Sequence, residues 1–191
     1  MKKMILAVMA VVMIMATSAK AETRPARLRL LVHGHINVQE GIDLRAHFIP
    51  AGNLVNDIAP LGYLGLGYQV NDWLNLEPAI GYDYTANEMI YSLRLEAGQD
   101  KFYTWADYEY TAGVDASYWF VQAQYKVKPW LHVGFEEESW GRFARSEDFS
   151  HGGGPNILFR SNHWGVDLAW HYRNFEDQPG TEFFTRVHLF F

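Results

Sequence analysis

From Ala26 to its end the chain alternates apolar and polar residues with a period of two, broken at intervals by clusters of Gly, Pro, Asn and Asp. Period two is the period of a strand, in which residues i, i+2 and i+4 share a face. The clearest case is the last stretch, Thr181 to Phe191. Phe183, Thr185, Val187, Leu189 and Phe191 take one face there, and Phe184, Arg186, His188 and Phe190 take the other. The same alternation marks Ala26–Val38, Ile42–Ile49, Gly62–Val70, Leu74–Tyr84, Glu88–Ala97, Phe102–Tyr110, Ser117–Val127, a segment from Leu131, Ile157–Arg160 and His163–Arg173. One face of each segment is apolar and the other carries most of the ionisable groups, so an all-β chain of short strands is expected.

The breaks fall into two kinds. Asn71–Trp73, Gly98–Lys101, Lys128–Pro129 and Ser161–Asn162 have the length and residue types of tight turns. Residues 50–60, 140–156 and 174–180 read as longer loops, the second holding the run Gly152-Gly153-Gly154-Pro155. Pro78, inside an otherwise regular strand, would remove a ladder bond and is expected to mark a bulge.

The N-terminus does not share this pattern. Lys2-Lys3 precedes an unbroken apolar run from Met4 to Met15, and Ala19-Lys20-Ala21 has the small-x-small form of a signal-peptidase site. The run is too short to cross a bilayer as a helix, so residues 1–21 read as a cleaved leader and 22–191 as one exported domain. Removing Lys2, Lys3 and Lys20 leaves 13 Lys+Arg against 22 Asp+Glu, a net charge of −9. That balance speaks against a nucleic-acid partner. The absence of cysteine rules out disulfides and thiol catalysis. Aromatic residues make up 16% of the chain, more than a soluble core of this size needs.

A dyad pattern of this sort fits a soluble sandwich or barrel with the apolar face inside, or a membrane barrel with it outside. The final strand decides the expectation. With Val187, Leu189 and the terminal Phe191 on its apolar face, it resembles the sorting signal of the small outer-membrane β-barrel proteins of Gram-negative bacteria. The resemblance implies a transmembrane antiparallel up-and-down barrel in the outer membrane. It also implies contact with outer-membrane lipids and lipopolysaccharide, and recognition by the barrel assembly machinery during biogenesis. The aromatic content then supplies interfacial girdles, with Trp73 and Trp130 beside turns as examples. Even strand numbers are usual in such barrels, with tight turns on the periplasmic side and loops outside. The pattern offers eleven candidate segments, so about ten strands are expected, with eight or twelve as alternatives. The surplus would be removed by making the first two segments one bent strand, or by laying the Arg27 segment inside the lumen.

In this register the polar faces point inward. Arg27, Arg29, Arg45, Arg94, Arg160 and Arg186 would meet Asp43, Glu77, Asp83, Glu88, Glu96, Asp107, Glu109, Glu136, Glu138 and Asp167 inside, together with every histidine except His151. Two readings follow. In one, the groups pair and plug the barrel, leaving a structural or adhesive role. In the other, Arg45, Glu77, Asp83, Arg94, Glu96, Asp107, Glu109, Glu136, Asp167 and Arg186 line a narrow pore whose excess of carboxylates prefers cations. Metal is a weaker third possibility, with His33, His35 and His188 as the candidates, because barrel closure brings the first and last strands together. No cofactor is expected.

A lipid-modifying hydrolase stands as an outside alternative. Ser161-Asn162 resembles part of the His-x-Ser-Asn motif of the lipid A deacylase family, but Phe159 stands where that family has its histidine. Without the base, Ser161 is not an activated nucleophile, so the chain is not expected to be an enzyme.

Overall fold

The computed structural model describes residues 26–50, 60–142, 145–174 and 180–191. The expected leader and most of the expected loops at 50–60 and 174–180 lie outside the described residues. The chain forms β1 (Arg27–Gln39), β2 (Ile42–Ile49), β3 (Leu61–Asn71), β4 (Leu74–Asp83), β5 (Glu88–Gln99) and β6 (Phe102–Thr111). These are followed by β7 (Ala116–Lys128), β8 (Leu131–Arg142), β9 (Arg145–Arg160), β10 (Trp164–Asn174) and β11 (Gly180–Phe190). Together they close into one barrel. Each strand pairs with its sequence neighbours in antiparallel fashion, and β1 meets β11 in parallel, Arg27 opposite Phe184 and His33 opposite Phe190.

The barrel has eleven strands, in keeping with the expected number of about ten. Both segments before residue 50 belong to the wall. Gly41, at φ 74°, makes the sharp reversal between β1 and β2, a conformation that glycine adopts without a Cβ penalty. An odd strand count requires one parallel pair, and it puts the start of β1 and the end of β11 at opposite mouths. One mouth carries Phe191 and the tight turns at 40–41, 72–73, 100–101, 129–130 and 161–163; the other carries the described connections at 84–87 and 112–115.

Two expectations are corrected. Pro78 makes no bulge. The β3–β4 register is the same on both sides of it, from Gly65↔Ala79 to Tyr68↔Leu76, while pairing is interrupted between. Proline deletes a donor but inserts no residue, and the bulge of this pair lies instead between Gln69 and Asn71. Likewise 140–156 is not an irregular stretch: β8 runs to Arg142 and β9 starts at Arg145. The glycine run lies within β9, opposite Glu136, Glu137 and Glu138 of β8. It is there for space, since a Cβ on Gly154 would collide with the Trp170 carbonyl and one on Gly152 would come to 2.5 Å from the Arg173 guanidinium carbon.

The faces follow the period-two reading. Leu64, Leu66, Ile80, Leu93, Val121, Val133 and Ile157 are exposed on the outside. The inside buries charge, with Glu136, Glu138, Asp167, His171, Arg173 and Arg186 each at most 2% accessible. One small apolar cluster, Leu31, Ile49, Tyr63 and Ile90, lies inside on β1, β2, β3 and β5.

Gly154→Ala is expected to lower the yield of refolded barrel and its denaturation midpoint, by about 1–3 kcal/mol for an overpacked position. Gly34→Ala, whose added carbon would meet nothing nearer than 4.0 Å, should leave both unchanged. Heat-dependent gel mobility and urea unfolding in detergent provide the readout.

Candidate functional site

Four groups of polar side chains fill the lumen, and each exists because the strand period aims alternate residues at the axis. Nearest the mouth opposite Phe191, Arg27 on β1 reaches almost across the barrel to Glu138 on β8 and donates to Glu182 on β11 at 2.8 Å. Arg173 is fully buried. It donates to Glu182 at 2.7 Å and to Glu138 at 2.8 Å, and stacks on the Trp140 ring at 3.9 Å. Arg29 approaches Tyr118 of β7 at 3.5 Å, and the Tyr118 hydroxyl donates to Glu138 at 3.1 Å. β1 and β7 lie five strands apart round the ring, so this contact crosses the full lumen.

The second group sits at mid-height. Arg186 donates to Glu136 and, at 2.7 Å, to Asp167. Gln122 donates to the same two carboxylates at 2.9 and 2.6 Å, Asn156 donates to Glu136 at 2.8 Å, and His171 contacts Glu136 at 2.8 Å. Two buried carboxylates thus share one guanidinium, with amide donors and an imidazole satisfying remaining lone pairs. The third group lines β2 to β6. Arg94 donates to Asp107 at 3.0 Å and lies 3.6 and 3.7 Å from Glu77 and Glu109, while Arg45 donates to Glu77 at 3.3 Å.

The fourth group is built of imidazoles. His33 of β1 and His47 of β2 are direct cross-strand partners, with Nδ1 to Nδ1 at 2.8 Å. His33 Nε2 lies 3.1 Å from His188 Nδ1, and His47 Nε2 lies 2.7 Å from Glu77. Two cavities meet at this level. One of about 340 Å³ faces the Phe191 mouth and one of about 200 Å³ lies deeper, and both are bounded by His33, His47 and Trp105.

Of the residues expected in the lumen, Arg45, Glu77, Arg94, Asp107, Glu109, Glu136, Asp167 and Arg186 join these groups. Asp83 is taken up at the end of β4, where it accepts the N–H groups of Thr85 and Ala86 while bordering the deeper cavity. Glu96 stays half-exposed, 3.9 Å from Arg45. His163 does not face inward but lies exposed in the 161–163 turn, because β10 begins one residue later. Of the metal candidates, His33 and His188 do meet; His35 is exposed at the mouth, and His47 takes its place. Ser161 serves its turn, its hydroxyl accepting the His163 N–H at 3.4 Å.

Arg173 and Glu182 are the charged lumen residues the sequence reading passed over. The signal was present, since Arg173 follows His171 by two positions and Glu182 precedes Phe184 by two. Among the described residues Glu138, His171 and Glu182 bring three potential metal donors within 4.8 Å of one another. Guanidinium groups already fill that position, Arg27 and Arg173 each bonding both carboxylates.

Removing Arg186 while leaving Glu136 and Asp167 should cost about 3–5 kcal/mol, the loss expected when one partner of a buried ion pair goes. Arg186→Met is the variant, with urea unfolding as the measurement. Combining it with Glu136→Gln and Asp167→Asn should recover most of the loss, because no unpaired charge then remains. In comparisons with known proteins, no family model and no curated protein matches the chain, so the functional reading rests on this interior and on the wall that encloses it.

Proposed function

We propose that the protein is an integral outer-membrane β-barrel with a plugged lumen, acting as a structural or adhesive element rather than as a conduit. One observation carries the reading: inside and outside are exchanged relative to a soluble barrel. Arginine and carboxylate side chains occupy the interior, while the exposed face carries an aliphatic middle rimmed by rings. Trp73, Phe102, Trp130 and Phe191 are exposed towards the tight-turn mouth, and Tyr84, Trp170, Tyr172 and Phe183 towards the other. Such a surface is unfavourable in water and suits a bilayer, with aliphatic groups at acyl depth and amphipathic rings at the headgroups. A closed sheet leaves no strand edge to be satisfied in lipid. The apolar face of Val187, Leu189 and Phe191 agrees with recognition by the assembly machinery, and outer-membrane lipids and lipopolysaccharide are the natural surroundings of the wall.

The cation-preferring channel is the less favoured reading. Carboxylates select ions when they face water in a ring, whereas Glu136, Glu138, Asp167 and Glu182 are each held by an arginine and buried. Contacts from β1 to β7 and β8 cross the bore. A hydrolase on the outer wall is less favoured still, since Phe159 replaces the histidine that would activate Ser161.

The refolded chain from Glu22 to Phe191 is expected to enter lipid bilayers and to give no steady single-channel current at neutral pH. A silent bilayer holding heat-modifiable, protease-protected barrel upholds the plug. Steady cation-selective openings altered by Glu77→Gln or Glu136→Gln would replace it with the channel.

A further inference from the structure

We propose that His33 and His47 form a clamp for a borderline divalent transition-metal ion such as Zn²⁺, Cu²⁺ or Ni²⁺, with Glu77 and His188 as the groups that orient the two rings. The Nδ1 atoms of His33 and His47 face one another at 2.8 Å across a direct cross-strand pair. Two nitrogens bound at about 2.0–2.1 Å to one tetrahedral ion stand about 3.3 Å apart. A small swing of either ring about its Cβ–Cγ bond therefore admits the ion.

What separates this pair from an ordinary pair of lumen histidines is the far side of each ring. His47 Nε2 lies 2.7 Å from the Glu77 carboxylate, and His33 Nε2 lies 3.1 Å from His188 Nδ1. A metal-bound imidazole donates its other N–H to a fixed acceptor, which sets the tautomer and the ring plane. Glu77 is such an acceptor for His47, and His188 Nδ1 becomes one for His33 once its proton moves to Nε2.

The proton count closes. Without metal, the consistent set of neutral tautomers has His188 Nδ1–H donating to His33 Nε2, His33 Nδ1–H to His47 Nδ1, and His47 Nε2–H to Glu77. With metal on both Nδ1 atoms, His33 carries its proton on Nε2 and donates it to His188 Nδ1, and His188 carries its own on Nε2. Each ring keeps one proton, two rings change tautomer, and no proton is released.

The cavities on either side, bounded by both histidines, give room for waters to complete the coordination. Arg45 and Arg94 approach Glu77 at 3.3 and 3.6 Å, so little net negative charge remains at the site. That environment selects an ion that accepts neutral nitrogen and disfavours Ca²⁺ and Mg²⁺, which require anionic oxygen.

The experiment is a titration of Zn²⁺ and Cu²⁺ into the refolded chain from Glu22 to Phe191 in detergent, after chelator treatment and with heat-dependent gel mobility as the check on folding. One ion per barrel is expected, with Cu²⁺ resonance spectra showing two coupled imidazole nitrogens and with no binding of Mg²⁺. His33→Gln and His47→Gln should each abolish binding. Glu77→Gln and His188→Phe should weaken it about 10–100-fold, as loss of an outer-shell partner does, while His132→Gln leaves it intact. Should His47→Gln misfold, the nitrogen count in the wild-type spectrum still decides. A folded wild-type barrel that binds neither ion, or binding that survives folded His33→Gln and His47→Gln, would overturn the proposal.

Discussion

The parallel pairing of β1 with β11 is the constraint on which the rest of this barrel depends. Ten antiparallel steps carry the chain round the ring, and the last gap closes only if the first strand lies alongside the last in the same sense. Closure of this kind removes the two edges that an open sheet would leave unpaired. It also fixes what the first strand can touch. With Arg27 opposite Phe184 and Leu31 opposite His188, Arg27 and Arg29 enter the lumen at the height of Glu138 and Tyr118, and His33 arrives beside His188. A shift of one residue in that register would turn both arginines and His33 towards the outer wall and bring Leu28, Leu30 and Val32 inside. The register is therefore specified from both sides, by the acids that need the arginines and by the apolar belt that excludes them.

The interior buries far more charge than an apolar core does. Burying a carboxylate or a guanidinium is costly unless its charge is matched and its hydrogen-bonding positions are filled. Here the matching runs across the bore rather than along one strand. Arg186 of β11 reaches Glu136 of β8, Gln122 of β7 reaches Asp167 of β10, and Arg27 of β1 reaches Glu138 of β8. Each bond ties strands that share no ladder, so the network braces the cylinder against flattening in addition to balancing charge. The aromatic rings inside belong to the same device. Phe184 lies within 5.1 Å of the guanidinium groups of Arg27, Arg29 and Arg186, and Trp140 stacks on Arg173. The ring faces add cation–π contact where no further carboxylate could fit.

Period two made most of this legible in the sequence. It placed Arg45, Glu77, Arg94, Asp107, Glu136, Asp167 and Arg186 on the inner face without any knowledge of which would meet. It could not give partners, because Arg186 and Glu136 are fifty positions apart and only the closed ring brings them together. It lost the glycine run because loop composition and close strand packing use the same residue: Gly152 to Gly154 look like a flexible connection, yet they thin β9 where Arg173 and the Trp170 carbonyl press against it. Parity was the other failure. The even-number rule describes barrels whose ends share a mouth, and nothing in the alternation of residues 27–39 tells a strand that pairs in parallel from one that pairs in antiparallel fashion, since both have the same period.

The lumen is chemically divided along its axis, and the division follows from access. Towards the mouth opposite Phe191, where Arg173 and Glu138 have no exposed surface, charge is held in direct ion pairs. Towards the tight-turn mouth His33, His47 and His188 come together, and the larger cavity opens among them, with Arg45 and Arg160 also on its wall. A strong ion pair keeps both partners charged, so it suits side chains withdrawn from solvent, as Arg173 and Glu138 are. Imidazoles can remain neutral, bond to one another and exchange donor for acceptor roles by moving a proton between their two nitrogens. They are the groups that tolerate a change of occupant, whether water or ion. The same barrel thus joins a section of direct ion pairs to a section where imidazoles border the larger cavity, and the boundary between them lies where Gln122 and Asp167, bonded to each other, also line that cavity.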